Sequence, residues 1–188
     1  DRYVEYVSWL ANVATTCEKI LQEVRNLQRS ELAEAGEGFD VKKQVGSSTM
    51  AHKKNPIKSE NASGLSRIVR SFIIPTYENA LLWHERDLAN SSSERFTLSH
   101  SSILCHDIML KSSQVLTNLW VDAERMMWNI ESQNGLVMAE KVMIDLVGKG
   151  VARDEAHEIL RTASFQAVET GEHLKEICLK TEKLMEVF

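Results

Sequence analysis

The segment Gly46-Ser47-Ser48-Thr49-Met50-Ala51-His52-Lys53-Lys54-Asn55-Pro56 concentrates polar chemistry more than any other stretch of the chain. Two serines follow a glycine, and a histidine, two lysines and an asparagine come within the next seven residues. Asn55-Pro56 reads as an N-cap followed by proline at the first helical position. The loop therefore delivers its side chains to a helix N-terminus. Free backbone N–H groups, the positive end of a helix dipole and two ammonium groups would converge there, a combination that suits an anionic ligand. On composition alone the same residues also fit a solvated, basic helix entry with a serine cap.

A second stretch, Trp83-His84-Glu85-Arg86-Asp87-Leu88-Ala89-Asn90-Ser91-Ser92-Ser93-Glu94-Arg95, mixes arginines with serines. Taken by itself it reads equally well as a charged, serine-capped connection between helices.

The first loop resembles the signature of the fumarase/aspartase superfamily: Gly-Ser-Ser, one variable residue, Met-Pro, a variable residue, Lys, a variable residue, Asn-Pro. One departure is visible, Ala51 where the family has proline. Alanine does not fix φ, so the loop is looser, but no functional group is lost. The resemblance places Ser47 on the family's general base, which takes a proton from the carbon beside a carboxylate. A serine hydroxyl needs surrounding positive charge and N–H donors to act so. Lys53 and Asn55 fall on positions that stabilise the developing carbanionic acid, and Ser48, Met50 and His52 on positions that meet substrate. Glu60 falls where one branch, the adenylosuccinate lyases, carries a glutamate that orients the set; alone, it reads as a first-turn glutamate favoured by the helix dipole.

The second stretch resembles the segment with which that same branch binds nucleotide phosphate, an arginine, a serine five residues on and an arginine nine on. Arg86, Ser91 and Arg95 fit that spacing, and two guanidiniums with a hydroxyl supply the forked donors a dianionic phosphate needs. The resemblance, which covers essentially the whole chain, implies an elimination that releases fumarate from a succinylated purine nucleotide, without metal or cofactor. It also implies a homotetramer whose active sites are shared between chains. Other members, such as argininosuccinate lyase or a carboxymuconate cycloisomerase, and a non-catalytic helical scaffold are the rival readings; the arginine–serine–arginine set disfavours the former, the Ser47, Lys53, Asn55 set the latter. The family's general-acid histidine has no counterpart among the six histidines. His84, His100, His106, His157 and His173 sit in helical patterns and read as surface or structural residues.

The elements that must position these residues read as helices throughout. Residues 1–35 lack Gly and Pro. Tyr3, Val7, Leu10, Ala14, Cys17, Leu21 and Val24 form a seam of alternating steps of four and three, widened by Tyr6, Trp9, Val13, Ile20 and Leu27. A helix over this whole stretch would run roughly 50 Å and need neighbours on two sides. Residues 36–55 form the signature loop. A helix follows from Pro56, carried by Leu65, Ile68, Val69, Phe72 and Ile73 and kinked by Pro75. Another runs from about Glu94 to Trp120, after the polar cluster Asn90 to Ser93. Asp122 reads as the cap that opens a region of shorter helices divided by Gly135, Gly148, Gly150 and Gly171. In that region Ala152 replaces a capping Ser or Thr, which weakens a helix start by about 1 kcal/mol. The expectation is an all-α bundle of the fumarase/aspartase type, with a central domain over 1–121 and a smaller helical domain over 122–188, whose completeness the sequence leaves open.

The composition, 43% apolar and 26% charged with a net charge of −5, argues against a general nucleic-acid or membrane-surface binder. Cys17, Cys105 and Cys178 lie far apart and suit small apolar positions in a reducing, cytoplasmic compartment. The first residues show no signal-peptide pattern, and a start inside a helix points to a piece of a longer chain.

Overall fold

The computed structural model describes residues 1–38, 54–84 and 86–187. It is an all-α fold whose described residues contain one minimal two-stranded sheet. The chain divides into two compact units, Asp1–Asp122 and Ala123–Phe188.

In the first unit, α1 (Arg2–Leu27), α2 (Ile57–Ser71) and α4 (Ala89–Thr117) pack side by side, with the short α3 (Ile73–Glu78) continuing α2. The shared core joins Leu10, Ala11, Ala14, Leu21 and Val24 of α1 to Ala62 and Val69 of α2 and to Cys105, Ile108 and Val115 of α4. The buried face of α2 is mostly small and polar: Ser59, Ala62, Ser63, Ser66 and Val69. The expected apolar face is only partly used, since Val69 is buried but Ile68 is exposed. Small side chains let helix backbones approach closely, and each buried hydroxyl needs an acceptor. Ser63 Oγ donates to Ser59 O at 2.7 Å, and Ser66 Oγ to Ala62 O at 2.9 Å and across to Ala14 O at 3.2 Å.

Several expected boundaries move, each for a tertiary reason. The first helix ends at Leu27, not residue 35, so its 26 residues span about 39 Å. Beyond it the chain turns, with Ala33 at φ 52°, and Ala35–Gly36 (β1) pairs antiparallel with Trp120–Val121 (β2). The third long helix begins at Ala89 rather than Glu94, because Asp87 Oδ1 accepts from Ala89 N at 2.8 Å and its other oxygen from Trp83 N at 2.8 Å. Pro75 lies inside α3, and the helix is interrupted three residues earlier, at Phe72. Proline lacks the N–H that would bind residue 71 and crowds its carbonyl.

The second unit comprises α5 (Ala123–Glu131), a 3₁₀ turn (Leu136–Met138), α6 (Ala139–Gly148), α7 (Arg153–Thr170), α8 (Leu174–Lys180) and α9 (Glu182–Met185). Leu146, Ala156, Leu160 and Leu184 form one cluster, and Ala163, Ala167, Leu174 and Ile177 another. The glycines punctuate it as expected. Gly171 at φ 71° closes α7 by donating its N–H to Ala167 O at 2.9 Å. No helix among the described residues is long and apolar enough to cross a membrane.

Candidate active site

Of the signature residues, Ser47, Ser48, Met50, His52 and Lys53 lie outside the described residues. Asn55 and Glu60 are described, and the fold brings them to one place. They line a cleft of about 700 Å³ with Lys54 and Pro56 and with Gln22, Arg25, Gln28 and Arg29 from the end of α1. Glu60 is exposed there, one helical turn past Pro56. Arg25, in the last turn of α1, and Arg29, two residues past its end, make the cleft cationic together with Lys54. Sequence reading missed both arginines, since charges on a long helix read as a solvated face. The available signal was their i, i+4 spacing at the helix end nearest the loop.

The entry to α2 is built differently from the expectation. The helix begins at Ile57, with Pro56 at the N-cap position and no side-chain cap of its own. A buried carboxylate from a distant residue takes over: Glu37, 5% exposed, accepts from Lys58 N at 3.1 Å through Oε1 and from Ser59 N at 3.0 Å through Oε2. Ser59 Oγ donates to the same Oε2 at 2.9 Å. Ile57 N reaches Asn55 O at 2.9 Å, and Glu60 N makes the first helical bond to Pro56 O at 2.9 Å. The first-turn amides are thereby accounted for. A capping acceptor of this kind is worth roughly 0.5–2 kcal/mol. This corrects the expectation that the N–H groups and dipole of this helix are open to an external anion, because Glu37 already occupies them. Positive charge for a ligand in the cleft comes from Arg25, Arg29 and Lys54.

Gln28 ties this arrangement to α1. Its Oε1 accepts from Glu37 N at 2.8 Å and its Nε2 donates to Lys54 O at 2.9 Å. Gly36 and Gly38 sit where the chain presses inward. A Cβ on Gly36 would fall 2.6 Å from the Trp120 ring, and one on Gly38 would fall 2.3 Å from Asn118 O. These glycines, expected as the start of an open loop, mark a close backbone approach.

The second candidate set lies elsewhere. Ser91 and Arg95 stand one turn apart on α4. Arg86, in the connection before it, lines a different cleft of about 440 Å³ with Asn90, Glu94, Asn79 and the first residues of α1. Asn118, just past the other end of α4, is the residue against Gly38. From Arg95 to Asn118 is about 35 Å at the helical rise, and the α1 residues of the two clefts, Val4 and Gln22, are about 27 Å apart. Within one chain Asn55 and Glu60 therefore lie at the opposite end of the bundle from Arg86.

Two of the described histidines make structural contacts. His100 stacks on Phe96 with ring centroids 5.5 Å apart, and His173 caps α8 by accepting from Lys175 N at 3.1 Å. His84 lies in a turn at φ 52°, not in a helix as its pattern suggested. Among the described residues no three His, Cys, Asp or Glu side chains are grouped to hold a metal ion. Burial, with a smaller push from Cys17, raises the Cys105 thiol above its ordinary pKa, and burial raises Cys178. Both therefore behave as small apolar residues.

The long-helix bundle, with Asn55 and Glu60 at the entry of the second long helix, fits the fumarase/aspartase superfamily that the loop before it resembles. Residues 1–70 match the family described as Lyase, and residues 135–187 the one described as Adenylosuccinate lyase C-terminus. The chain is 48% identical over all 188 residues to the adenylosuccinate lyase of Archaeoglobus fulgidus and 45% identical over 186 residues to that of Methanothermobacter thermautotrophicus. It covers 42% and 41% of those proteins, less than half their length. Among solved structures it resembles 3-carboxy-cis,cis-muconate lactonizing enzyme from Pseudomonas putida, with a TM-score of 0.82 and 26% identity, over 100% of this chain and 40% of that one. The β-carboxy-cis,cis-muconate cycloisomerase of Acinetobacter calcoaceticus matches with a TM-score of 0.81 and 27% identity, again over 100% and 40%. The chain belongs to the adenylosuccinate lyase family of the fumarase/aspartase superfamily.

Proposed function

We propose that the chain is the part of an adenylosuccinate lyase that supplies the general base and the phosphate-binding arginines, acting in the cytoplasm within a homotetramer. Ser47 takes the proton from the succinyl carbon beside a carboxylate. Lys53, Asn55 and neighbouring N–H groups hold the resulting dianion, and Glu60 orients the set. The C–N bond then breaks, its electrons pass to the nitrogen, and fumarate leaves. The other product is AMP, or the imidazole carboxamide nucleotide when that succinylated precursor is the substrate. Ser48, Met50 and His52 meet the substrate, while Arg86, Ser91 and Arg95 hold its phosphate. The reaction needs no metal or cofactor, and the acid that protonates the leaving nitrogen comes from outside these residues.

The observation that carries the reading is the separation of the two sets. Asn55 and Glu60 share a cationic cleft by the end of α1, and Arg86 lines a cleft by its start, about 27 Å away at the helical rise. That distance is well beyond one mononucleotide, so both sets serve one substrate only if neighbouring chains pack antiparallel and each site is shared. Large side chains exposed along the same helices, such as Trp9 at 58% and Ile74 at 70%, supply apolar surface for that packing. The muconate enzymes share the fold at far lower identity than the adenylosuccinate lyases do, which favours the purine substrate.

Ser47→Ala in the full-length enzyme tests the reading. With adenylosuccinate as substrate and fumarate absorbance as readout, turnover should fall by roughly 10²–10⁴-fold with a smaller change in KM. Near-normal turnover removes Ser47 from the mechanism, and a wild-type enzyme that leaves adenylosuccinate intact removes the assignment.

A further inference from the structure

We propose that Glu37 and Gln28 are positioning residues for Asn55 and Glu60, an inference that rests on the catalytic reading of those two side chains. Neither touches a reacting atom in that scheme, and neither belongs to the Gly46–Pro56 motif itself. What they touch is the backbone on both sides of Asn55-Pro56. Gln28 holds the Lys54 carbonyl immediately before it, and Glu37 holds the Lys58 and Ser59 amides immediately after it. Gln28 also binds Glu37 N, so one amide side chain on α1 fixes both the carboxylate's own backbone and the segment it clamps.

The sequence separations are what make this more than a helix cap. Residues 28, 37, 54, 58 and 59 come from three parts of the chain, and four side-chain-to-backbone bonds join them at one point. A local Ser, Thr or Asp at position 56 would satisfy the helix end equally well. Proline there cannot, and the cap is supplied instead from the stretch that leads into residues 39–53. The glycines flanking Glu37 leave no slack. A Cβ at position 36 would meet the Gln28 side chain at 2.8 Å, and one at position 38 would meet Asn118 O at 2.3 Å. Glu37 is therefore held in register against the α2 entry by contacts on both sides. The arrangement couples the position of Asn55 to the end of α1, where Arg25 and Arg29 complete the same cleft.

The test uses the full-length enzyme with Glu37→Gln and Gln28→Leu, variants of similar volume. Glu37→Gln puts an amide NH₂ where a carboxylate oxygen accepts from Lys58 or Ser59, and Gln28→Leu removes both of its bonds. The expected result is a kcat at least tenfold lower with KM within about threefold. Hydrogen exchange at the Lys58 and Ser59 amides should also be at least tenfold faster in Glu37→Gln. A purely structural role lowers Tm but leaves kcat of the folded enzyme within twofold of wild type, and that outcome overturns the proposal. Unchanged exchange at both amides overturns it as well. Should Gln28→Leu fail to fold, Glu37→Gln decides alone. Exchange reads the clamp without any turnover, so its failure is distinguishable from a failure of the lyase assignment, which would show as an inactive wild type.

Discussion

Asp87 shows how a single carboxylate can set a helix start beside candidate ligand residues. It accepts from the backbone N–H of Trp83 and of Ala89, and these bonds hold its pKa below the ordinary 3.8. A depressed folded pKa means the stabilisation is present above the unfolded value and is lost as pH falls through the folded one. The Trp83 and Ala89 amide resonances should therefore shift together on acidification below about pH 4, and Asp87→Asn should abolish that titration. Amides that stay flat down to about pH 2 would contradict it. The neighbouring Arg86, with Arg95 on α4, carries a different expectation. Arg86→Ala or Arg95→Ala should weaken binding of AMP-type ligands by roughly tenfold or more, the cost of one charge-assisted bond, with little effect on fumarate. Equal weakening of both ligands would assign these arginines to the fold. At this scale the sequence offers candidates through fixed local spacing, as in Asn55 and Glu60, which share one cleft, or Ser91 and Arg95. It was not legible for Glu37, Gln28, Arg25 or Arg29, whose roles depend on which distant backbone or cleft they reach.

Helix α7 provides a direct measure of what a missing cap costs. Ala152 occupies the N-cap position with extended backbone, φ −60° and ψ 139°, and no side chain bonds the first-turn amides. Ala156 N already closes the first turn on Ala152 O at 2.9 Å, and Asp154 and Glu155 favour the dipole. Ala152→Ser adds the absent acceptor without altering the backbone and should stabilise the second unit by about 1 kcal/mol. A higher urea midpoint at unchanged m-value would register it, and an unmoved midpoint would show that water already serves those amides. The same cap was visible in the sequence because an N-cap is a local device. The end of α1 was not, because residues 28–35 contain no Gly or Pro and the stop is imposed by β1 pairing with β2 and by Gln28 reaching Glu37 and Lys54. The buried face of α2 escaped for a related reason. Serines that bond carbonyls of their own helix bury at little cost, yet they do not register as core in a hydrophobic pattern.

At the scale of the molecule, the decisive feature is that the first unit carries two candidate clefts at opposite ends of α1. The connectivity forces this. α2 and α3 run back along α1 from the signature end, so Arg86 emerges beside the first residues of α1, and α4 then returns toward Asn118 and Gly38. A second copy packed antiparallel along the exposed faces of α1 and α3 would set the arginines of one chain against the cleft of the other. The consequence is testable in the full-length enzyme by mixing two impaired variants, Ser47→Ala and Arg86→Ala, and assaying with substrate well below KM. Each alone damages every site. After dissociation and random reassembly, a site that takes its base from one chain and its arginine from another is intact when the first carries Arg86→Ala and the second Ser47→Ala, which is about a quarter of the sites. Activity should therefore rise from about a tenth of wild type or less in either parent to about a quarter in the mixture. A mixture no more active than its parents would place both residues in the same chain's site and would sink the shared-site reading. Light scattering gives the independent check. Association that survives in wild type but is lost in Trp9→Glu, a charge on the exposed face of α1, would assign the contact to that face, whereas a monodisperse wild-type monomer would leave the two half-sites with no way to meet.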